Sequence, residues 1–325
     1  MKKRSLATVL LCVAAGFGFA DQGLILREAY GDFSFLGIQA GRVYIFTGEN
    51  FHVFDLKDGT PLKTFGKIGQ GPGEYASYFA FPVFLPDVIV LNNMTKANFY
   101  TPEGIFLKSV RLDSSFYRIL PLGSGYIRQK TNFAPGSKER DTTIEIVNDA
   151  MEPIREIFRR KSTSGKEEKT GIGNIDPAAV AIDIAVDSGK IYVGNPETEI
   201  SISIYNAEGG LIRAIRRDAD ALEKRPAEEH RMQAQGQDIV TKIQSSQSAF
   251  RFFQVEKGLI YLFTHKKNGD KSEVIVLDEE GKEVASAWVT RTARMSQCIY
   301  EKKLYYVDYD DKSGELALHS ETIFK

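Results

Sequence analysis

Phe54-Asp-Leu-Lys-Asp-Gly-Thr-Pro-Leu-Lys-Thr-Phe65 is one copy of a pattern that this chain repeats. The others are Phe99-Tyr-Thr-Pro-Glu-Gly-Ile-Phe-Leu-Lys-Ser-Val110, Ile146-Val-Asn-Asp-Ala-Met-Glu-Pro-Ile-Arg-Glu-Ile157, Ile204-Tyr-Asn-Ala-Glu-Gly-Gly-Leu-Ile-Arg-Ala-Ile215 and Val276-Leu-Asp-Glu-Glu-Gly-Lys-Glu-Val-Ala-Ser-Ala287. Each is a strand end, a polar turn that usually carries Gly, and a second strand of alternating apolar residues, which is a β-hairpin. A lone hairpin cannot bury its apolar face, so a repeated hairpin requires sheets packed on one another.

The copies begin at Phe54, Phe99, Ile146, Ile204 and Val276, at intervals of 45, 47, 58 and 72 residues. One four-stranded propeller blade takes roughly 40–50 residues. The first two intervals fit one blade each, and the longer ones carry polar insertions. Two strand-like runs precede every hairpin, which places blades over 32–66, 78–111, 115–159, 178–217 and 247–290. A sixth unit starts near Arg294 with Ser296–Tyr300, Leu304–Asp308 and Leu316–Phe324, one strand short. The run Leu24–Tyr30 belongs to no other blade and is expected to be the missing outer strand. Pairing it there joins the two chain ends and removes an open edge. The expected fold is all-β: a six-bladed β-propeller of four-stranded antiparallel blades, closed by the mature N-terminal strand completing the last blade.

The first twenty residues read as a secretory signal. Lys2, Lys3 and Arg4 precede the mostly apolar Leu6–Phe19, and Gly18-Phe19-Ala20 puts small residues where a signal peptidase acts. The run is shorter than the ~20 residues of a membrane span, and no other segment is long and apolar enough to cross. Residues 21–325 are expected to form a single propeller domain, monomeric and exported to a periplasm or medium. Leu11, not a small residue, precedes Cys12, which disfavours a lipid anchor. Cutting after Ala20 removes three basic and no acidic residues, taking the formal net charge from −1 to −4. A mildly acidic exported chain lacks the basic face that nucleic-acid binding requires. Cys298 then has no cysteine partner, so stability has to come from the core, in which a free Cys packs as a small hydrophobe.

Loop lengths are one-sided. Turns between first and second strands and between third and fourth strands share one face and are short. The other face receives 66–77, 131–141, 161–175, 218–246 and 264–271, and long loops on a rigid scaffold are where binding groups concentrate. Within 219–243, helix formers lie around Pro226 and suggest either a short helical lid or a solvated excursion. The mixed-charge stretch Arg159–Lys169 reads as a loop.

The sharpest local string is Phe65-Gly-Lys-Ile-Gly-Gln-Gly-Pro-Gly-Glu-Tyr75, followed by Pro82 and by Asp87 to Gly104. It resembles the NHL-repeat consensus, and more closely the exported bacterial six-bladed β-propeller family with a Gly-x-Gly-Pro-Gly-Glu-aromatic turn after its first blade. The resemblance implies a fold and an exported location, and no particular substrate. Physically the turn is either a ligand cradle or a tight inter-blade crossover. A phosphate loop would need Gly-Lys-Ser/Thr where Glu74-Tyr75 stand. His52, His230, His265 and His319 are scattered without metal-ligand spacing. No cofactor is predicted, although inward residues from several blades can gather on a divalent ion, Ca or Zn. The candidate ligand-binding residues are Gln70, Glu74 and Tyr75 in the turn, with Asn92, Asn93, Arg128 and Asp183 at strand ends and loop bases. Phe79, Phe81, Phe84, Phe250, Phe252 and Phe253 read as inter-blade core. No catalytic residues are assigned. The leading expectation is a module that binds an unidentified small ligand or an envelope protein on its long-loop face. Its rivals are a metal-dependent lactonase-like or lyase-like hydrolase with an axial-channel site, and a structural scaffold in an envelope complex.

Overall fold

The computed structural model describes residues 23–27, 35–75, 80–93, 96–112, 117–133, 139–163, 182–195, 199–218, 228–234, 237–243, 249–290, 296–309 and 315–325. The signal reading of 1–20 and the end of the run to Tyr30 lie outside them. After β1 (Leu24–Leu26), blade one comprises β2 (Phe35–Gln39), β3 (Arg42–Phe46), β4 (Phe51–Asp55) and β5 (Pro61–Phe65). A short parallel pair, β6 (Lys67–Ile68) and β7 (Glu74–Tyr75), leads into blade two: β8 (Phe81–Leu85), β9 (Val88–Asn92), β10 (Lys96–Tyr100) and β11 (Phe106–Arg111). Blade three is β12 (Tyr117–Leu122), β13 (Gly125–Phe133), β14 (Glu139–Val147) and β15 (Pro153–Thr163). Blade four is β16 (Asp183–Asp187), β17 (Lys190–Asn195), β18 (Glu199–Tyr205) and β19 (Leu211–Asp218). A hairpin, β20 (Glu228–Ala234) and β21 (Gln237–Ile243), precedes blade five: β22 (Phe252–Glu256), β23 (Leu259–Asn268), β24 (Lys271–Leu277) and β25 (Glu283–Thr290). Blade six is β26 (Gln297–Tyr300), β27 (Lys303–Tyr309) and β28 (Leu316–Thr322), with β1 as its fourth strand.

The chain is therefore a six-bladed β-propeller, and its ring closes as expected, with Leu24, Ile25 and Leu26 opposite Leu318, Ala317 and Leu316. No helix occurs among the described residues. This corrects the helical reading of 219–243, whose described part is the β20–β21 hairpin. The alternating, β-branched Ile239-Val-Thr-Lys-Ile243 outweighs the helix formers before it. The expected loop 264–271 is also mostly strand: β23 runs to Asn268 and turns at Gly269-Asp270.

The apolar core lies in the wedges between blades. Phe46, Phe51, Tyr75 and Leu91 fill the wedge between blades one and two. Ile127, Ile144, Ile184 and Val193 fill that between three and four, and Leu26, Leu36, Val43 and Leu318 seal the last blade to the first. Cys298 packs partly buried in that closing wedge, and burial pushes its thiol pKa up.

The repeated hairpin has one geometry in all five copies. The ladder slips by a residue at Phe54, Tyr100, Val147, Tyr205 and Leu277, the bulge that accompanies a left-handed turn residue. Asp55, Thr101, Asn148, Asn206 and Asp278 each accept a backbone N–H of their own turn. The turn then packs on the outer strand of the preceding blade. A Cβ on Gly104, where φ is +73°, would stand 2.4 Å from the Phe65 ring, and one on Gly209 would stand 2.7 Å from Ile157. The third copy has Met151 there, at φ 65°, packed on the same apolar cluster as the smaller Val110, with its carbonyl held by Arg128 at 3.2 Å. The basic residue of each outer strand reaches the same turn. Lys63 donates to the Glu103 carbonyl, Lys108 pairs with Asp149, Arg155 donates to the Glu208 carbonyl and Arg213 pairs with Glu280. In the fifth copy this position is Ala285. Blade six has no third-to-fourth turn to meet it, and Ile323 and Phe324 pack there against Ala285 and Ala287.

Candidate functional site at the long-loop ends of the inner strands

The first strand of each blade lies innermost, and the ladder leaves backbone groups on its free edge unpaired. Side chains of neighbouring blades supply partners. Asn92 accepts from Ile119 N at 2.9 Å, Gln129 donates to the Ile182 carbonyl at 3.2 Å, and Asp183 accepts from Phe253 N at 3.2 Å. Gln254 accepts from Ile299 N at 2.7 Å. Toward the short-turn face, Asp187 accepts from Gly258 N, and Glu256 from Glu301 N and Lys302 N.

The expected site residues fall in three places. Gln70, Glu74 and Tyr75 lie together in the crossover from blade one to blade two. Gln70 is exposed. Glu74 closes the glycine turn by accepting from Gly71 N at 2.8 Å, with Lys67 beside it at 3.2 Å. The Gly71 amide first, then Lys67, hold the Glu74 carboxyl below its ordinary value. Tyr75 is fully buried and donates to the Glu49 carbonyl at 2.5 Å. Burial pushes its phenol up, and pushes that of neighbouring Tyr100, which donates to the Gly73 carbonyl, to about 12. Arg128 stands apart, between blades two and three, bonded to Glu145 at 2.6 Å. Asn92, Asn93 and Asp183 are buried at the long-loop ends of blades two and four. Among the described residues, no group of three or more His, Cys, Asp or Glu side chains is placed to hold a metal ion.

The inner strands begin on the long-loop face at Phe35, Phe81, Tyr117, Asp183, Phe252 and Gln297. Phe84, Phe250, Phe252 and Phe253 pack in the wedges as expected, while Phe79 lies outside the described residues. Phe81 differs from the core expectation. Its ring is 41% exposed and meets Phe35 edge-on at 5.8 Å. It is the first residue of its strand, at the end of the wedge. Its ladder partner is Asn92, whose amide is bonded to Ile119. Next to Ile119 is Arg118, with its side chain 34% exposed and its guanidinium 2.9 Å from Asp183. Thus Phe81, Arg118 and Asp183, from blades two, three and four, share one end of the ring. Arg118 carried no sequence signal, because what distinguishes it is a partner 65 positions away.

Blade heights shape the surroundings. In blade three, β13 continues three residues past Lys130, the partner of Tyr117. In blade five, β23 continues five residues past Phe263, the partner of Phe252, through a bulge between Phe263 and Lys267. In blade four, β17 continues one residue past Gly194, the partner of Asp183. Among the described residues, the second strand of blade four thus extends less far on this face than those of blades three and five.

No protein-family model matches the chain, and no curated protein matches it. Among solved structures, a protein of Bacteroides fragilis NCTC 9343, described as exported, is similar over 94% of this chain and 95% of its own, with 12% identity and a TM-score of 0.50. The WD40 domain of Neurospora crassa Pan2 is similar over 91% of this chain and 90% of its own, with 8% identity and a TM-score of 0.44. Kuenenia stuttgartiensis hydrazine synthase is similar over 87% and 81%, with 13% identity and a TM-score of 0.42. At such identities the likeness concerns the fold alone. No helix among the described residues is long and apolar enough to cross a membrane.

Proposed function

We propose that this protein is an exported binding module whose ligand sits on the long-loop face, at the ends of the inner strands. The observation that carries the reading is Phe81. Among the described residues, the other exposed large apolar side chains, from Leu62 to Tyr309, lie off the inner strands. Full burial of a phenyl side chain is worth about 1.5–3 kcal/mol, and Phe81, 41% exposed, forgoes somewhat less than half of it. Such a ring beside a few fixed polar groups is the usual composition of a ligand site. In this reading Asn92 and Asp183 are positioning residues, one fixing the β12 backbone and the other the Arg118 guanidinium. Export is supported by the signal-like residues 1–20 and by the exported structural neighbour. A panel of small metabolites is screened by thermal shift against the wild type, Phe81→Ala and the rim variant Leu107→Ala. Ligands that raise the melting temperature are expected to lose their effect in F81A and keep it in L107A. Equal effects in all three proteins would remove the site from this face.

A further inference from the structure

We infer that β25, the outer strand of blade five, is the interface of a symmetric dimer in which it pairs antiparallel with β25 of a second copy. No described strand lies along its outer edge. Val284 is the extra residue of its bulge, and the run beyond it, Ala285-Ser-Ala-Trp-Val-Thr290, carries no charge, no Pro and no further bulge. Edge strands are ordinarily guarded by charges, bulges or short length. The other outer strands follow that rule. β1 has three residues, and past their bulges β5 carries Lys63, β11 carries Lys108 and Arg111, β15 carries Arg159 to Lys161, and β19 carries Arg213, Arg216 and Arg217. Blade six also lacks the third-to-fourth turn that elsewhere laps the outer strand of the preceding blade.

The bare edge has a definite hydrogen-bonding phase. Thr290 N donates to Glu321 of blade six at 3.2 Å and so points away from β24. Alternate residues of an antiparallel strand direct both backbone groups to the same side. The N–H and C=O of Ser286 and Trp288, and the Thr290 carbonyl, therefore face outward. Among the side chains, Ala285, Ala287 and Val289 pack toward blade six, while Ser286 and Trp288 are exposed, Trp288 by 41%. A twofold axis at Trp288 sets it opposite its own copy, where the two exchange both backbone hydrogen bonds, and brings each Ser286 N–H to the partner's Thr290 carbonyl. Aromatic pairs and Ser–Thr pairs are favourable across strands, and like charges opposite each other are not. An uncharged run can therefore pair with itself, whereas β15 or β19 would crowd arginines together. That self-complementarity selects a second copy over a strand of unrelated sequence, and a twofold contact closes without propagating. The dimer replaces the monomer expected from the sequence.

Trp288 is the sole tryptophan of the chain, so fluorescence reads this contact directly. Sedimentation velocity and emission spectra of the full mature chain are recorded from about 1 to about 100 µM, a range that covers micromolar affinity. The expected result is a monomer–dimer transition, accompanied by a shift of emission to shorter wavelength as Trp288 leaves water. Ser286→Pro removes an outward N–H that β24 does not use, at a position where an edge strand tolerates Pro. Trp288→Glu puts two carboxylates on the axis. Both variants are expected to keep the far-ultraviolet circular dichroism of the wild type and to stay monomeric over the whole range. Leu62→Ala, on the outer strand of blade one, is expected to dimerise as the wild type does. A monomer at every concentration overturns the inference and leaves the edge to a strand of another protein. A dimer that persists in both S286P and W288E, or that forms without a change in Trp288 emission, overturns it as well. Should one variant fail to fold, the other variant and the emission shift decide it.

Discussion

Gln39 has a buried amide with neither side-chain atom hydrogen-bonded, and its neighbours suggest why. It ends the inner strand of blade one as Asp187 and Glu256 end those of blades four and five, and those two cap N–H groups in the first turn of the next blade. Blade two has Pro86, which has no N–H, where blade six offers Glu301 N, and Gln39 makes no bond to the Asp87 N–H that corresponds to Gly258 N and Lys302 N. Gln39→Leu is therefore expected to stabilise the protein by about 1 kcal/mol, seen as a higher urea midpoint at unchanged slope. A lower midpoint would mean that the amide has a partner. Glu74 gives a prediction of opposite character. Its folded pKa is depressed, so it contributes stability above its ordinary value of 4.5 that is lost as pH falls through the depressed folded value. Glu74→Gln is expected to flatten the acid side of a melting-temperature profile and to leave the slope above neutral pH unchanged. The glycines around Glu74 were legible as a turn, because few other residues suit that backbone. Phe81 was misread because an aromatic in an alternating strand looks the same whether it is covered or not.

At the scale of the element, the repeated hairpin was legible because its requirements are local: a polar cap, a left-handed turn residue and a bulge. Its cross-blade role was not, since Gly104 needs Phe65 and Gly209 needs Ile157. Gly104→Ala is expected to cost about 3 kcal/mol or more, the left-handed backbone accounting for about 1–2 of it and the contact with the Phe65 ring for the rest. Met151→Gly, in the copy that already relaxed this contact, is expected to be neutral or stabilising. Denaturant melts of the two variants decide it, and equal losses would contradict the packing argument. The missing turn of blade six predicts a second contrast. Tyr192 donates to Glu279 in the turn of blade five at 2.7 Å, with Lys190 on the same carboxylate. Tyr261, one blade later, has no such turn to meet, and its buried hydroxyl has no partner. Tyr192→Phe should lose about 1–3 kcal/mol and Tyr261→Phe essentially nothing. The 219–243 insertion misled the helical reading because Ala221 to Gln235 has helix composition, whereas the pairing of Met232 with Ile239 depends on the strand that follows.

For the whole molecule, the period of the hairpins and the spare apolar run at Leu24 sufficed for a closed six-bladed ring. The site did not follow from them. Phe81, Arg118 and Asp183 come from three blades and share one end of the ring only because closure brings inner strands together, so no spacing in the chain could announce them. Both the face assignment and the proposed ligand site depend on that closure. Ile25 and Ala317 are cross-strand partners in the clasp, and such pairs have the separation a disulfide needs. In a Cys298→Ala background, Ile25→Cys with Ala317→Cys should oxidise to a single intramolecular disulfide, read by mass spectrometry. The chain-entropy model puts its stabilisation at about 6 kcal/mol for a loop of nearly the whole chain. Formation of that bond with a raised melting temperature is the predicted result; free thiols, or a disulfide formed only between molecules, would contradict the closed ring.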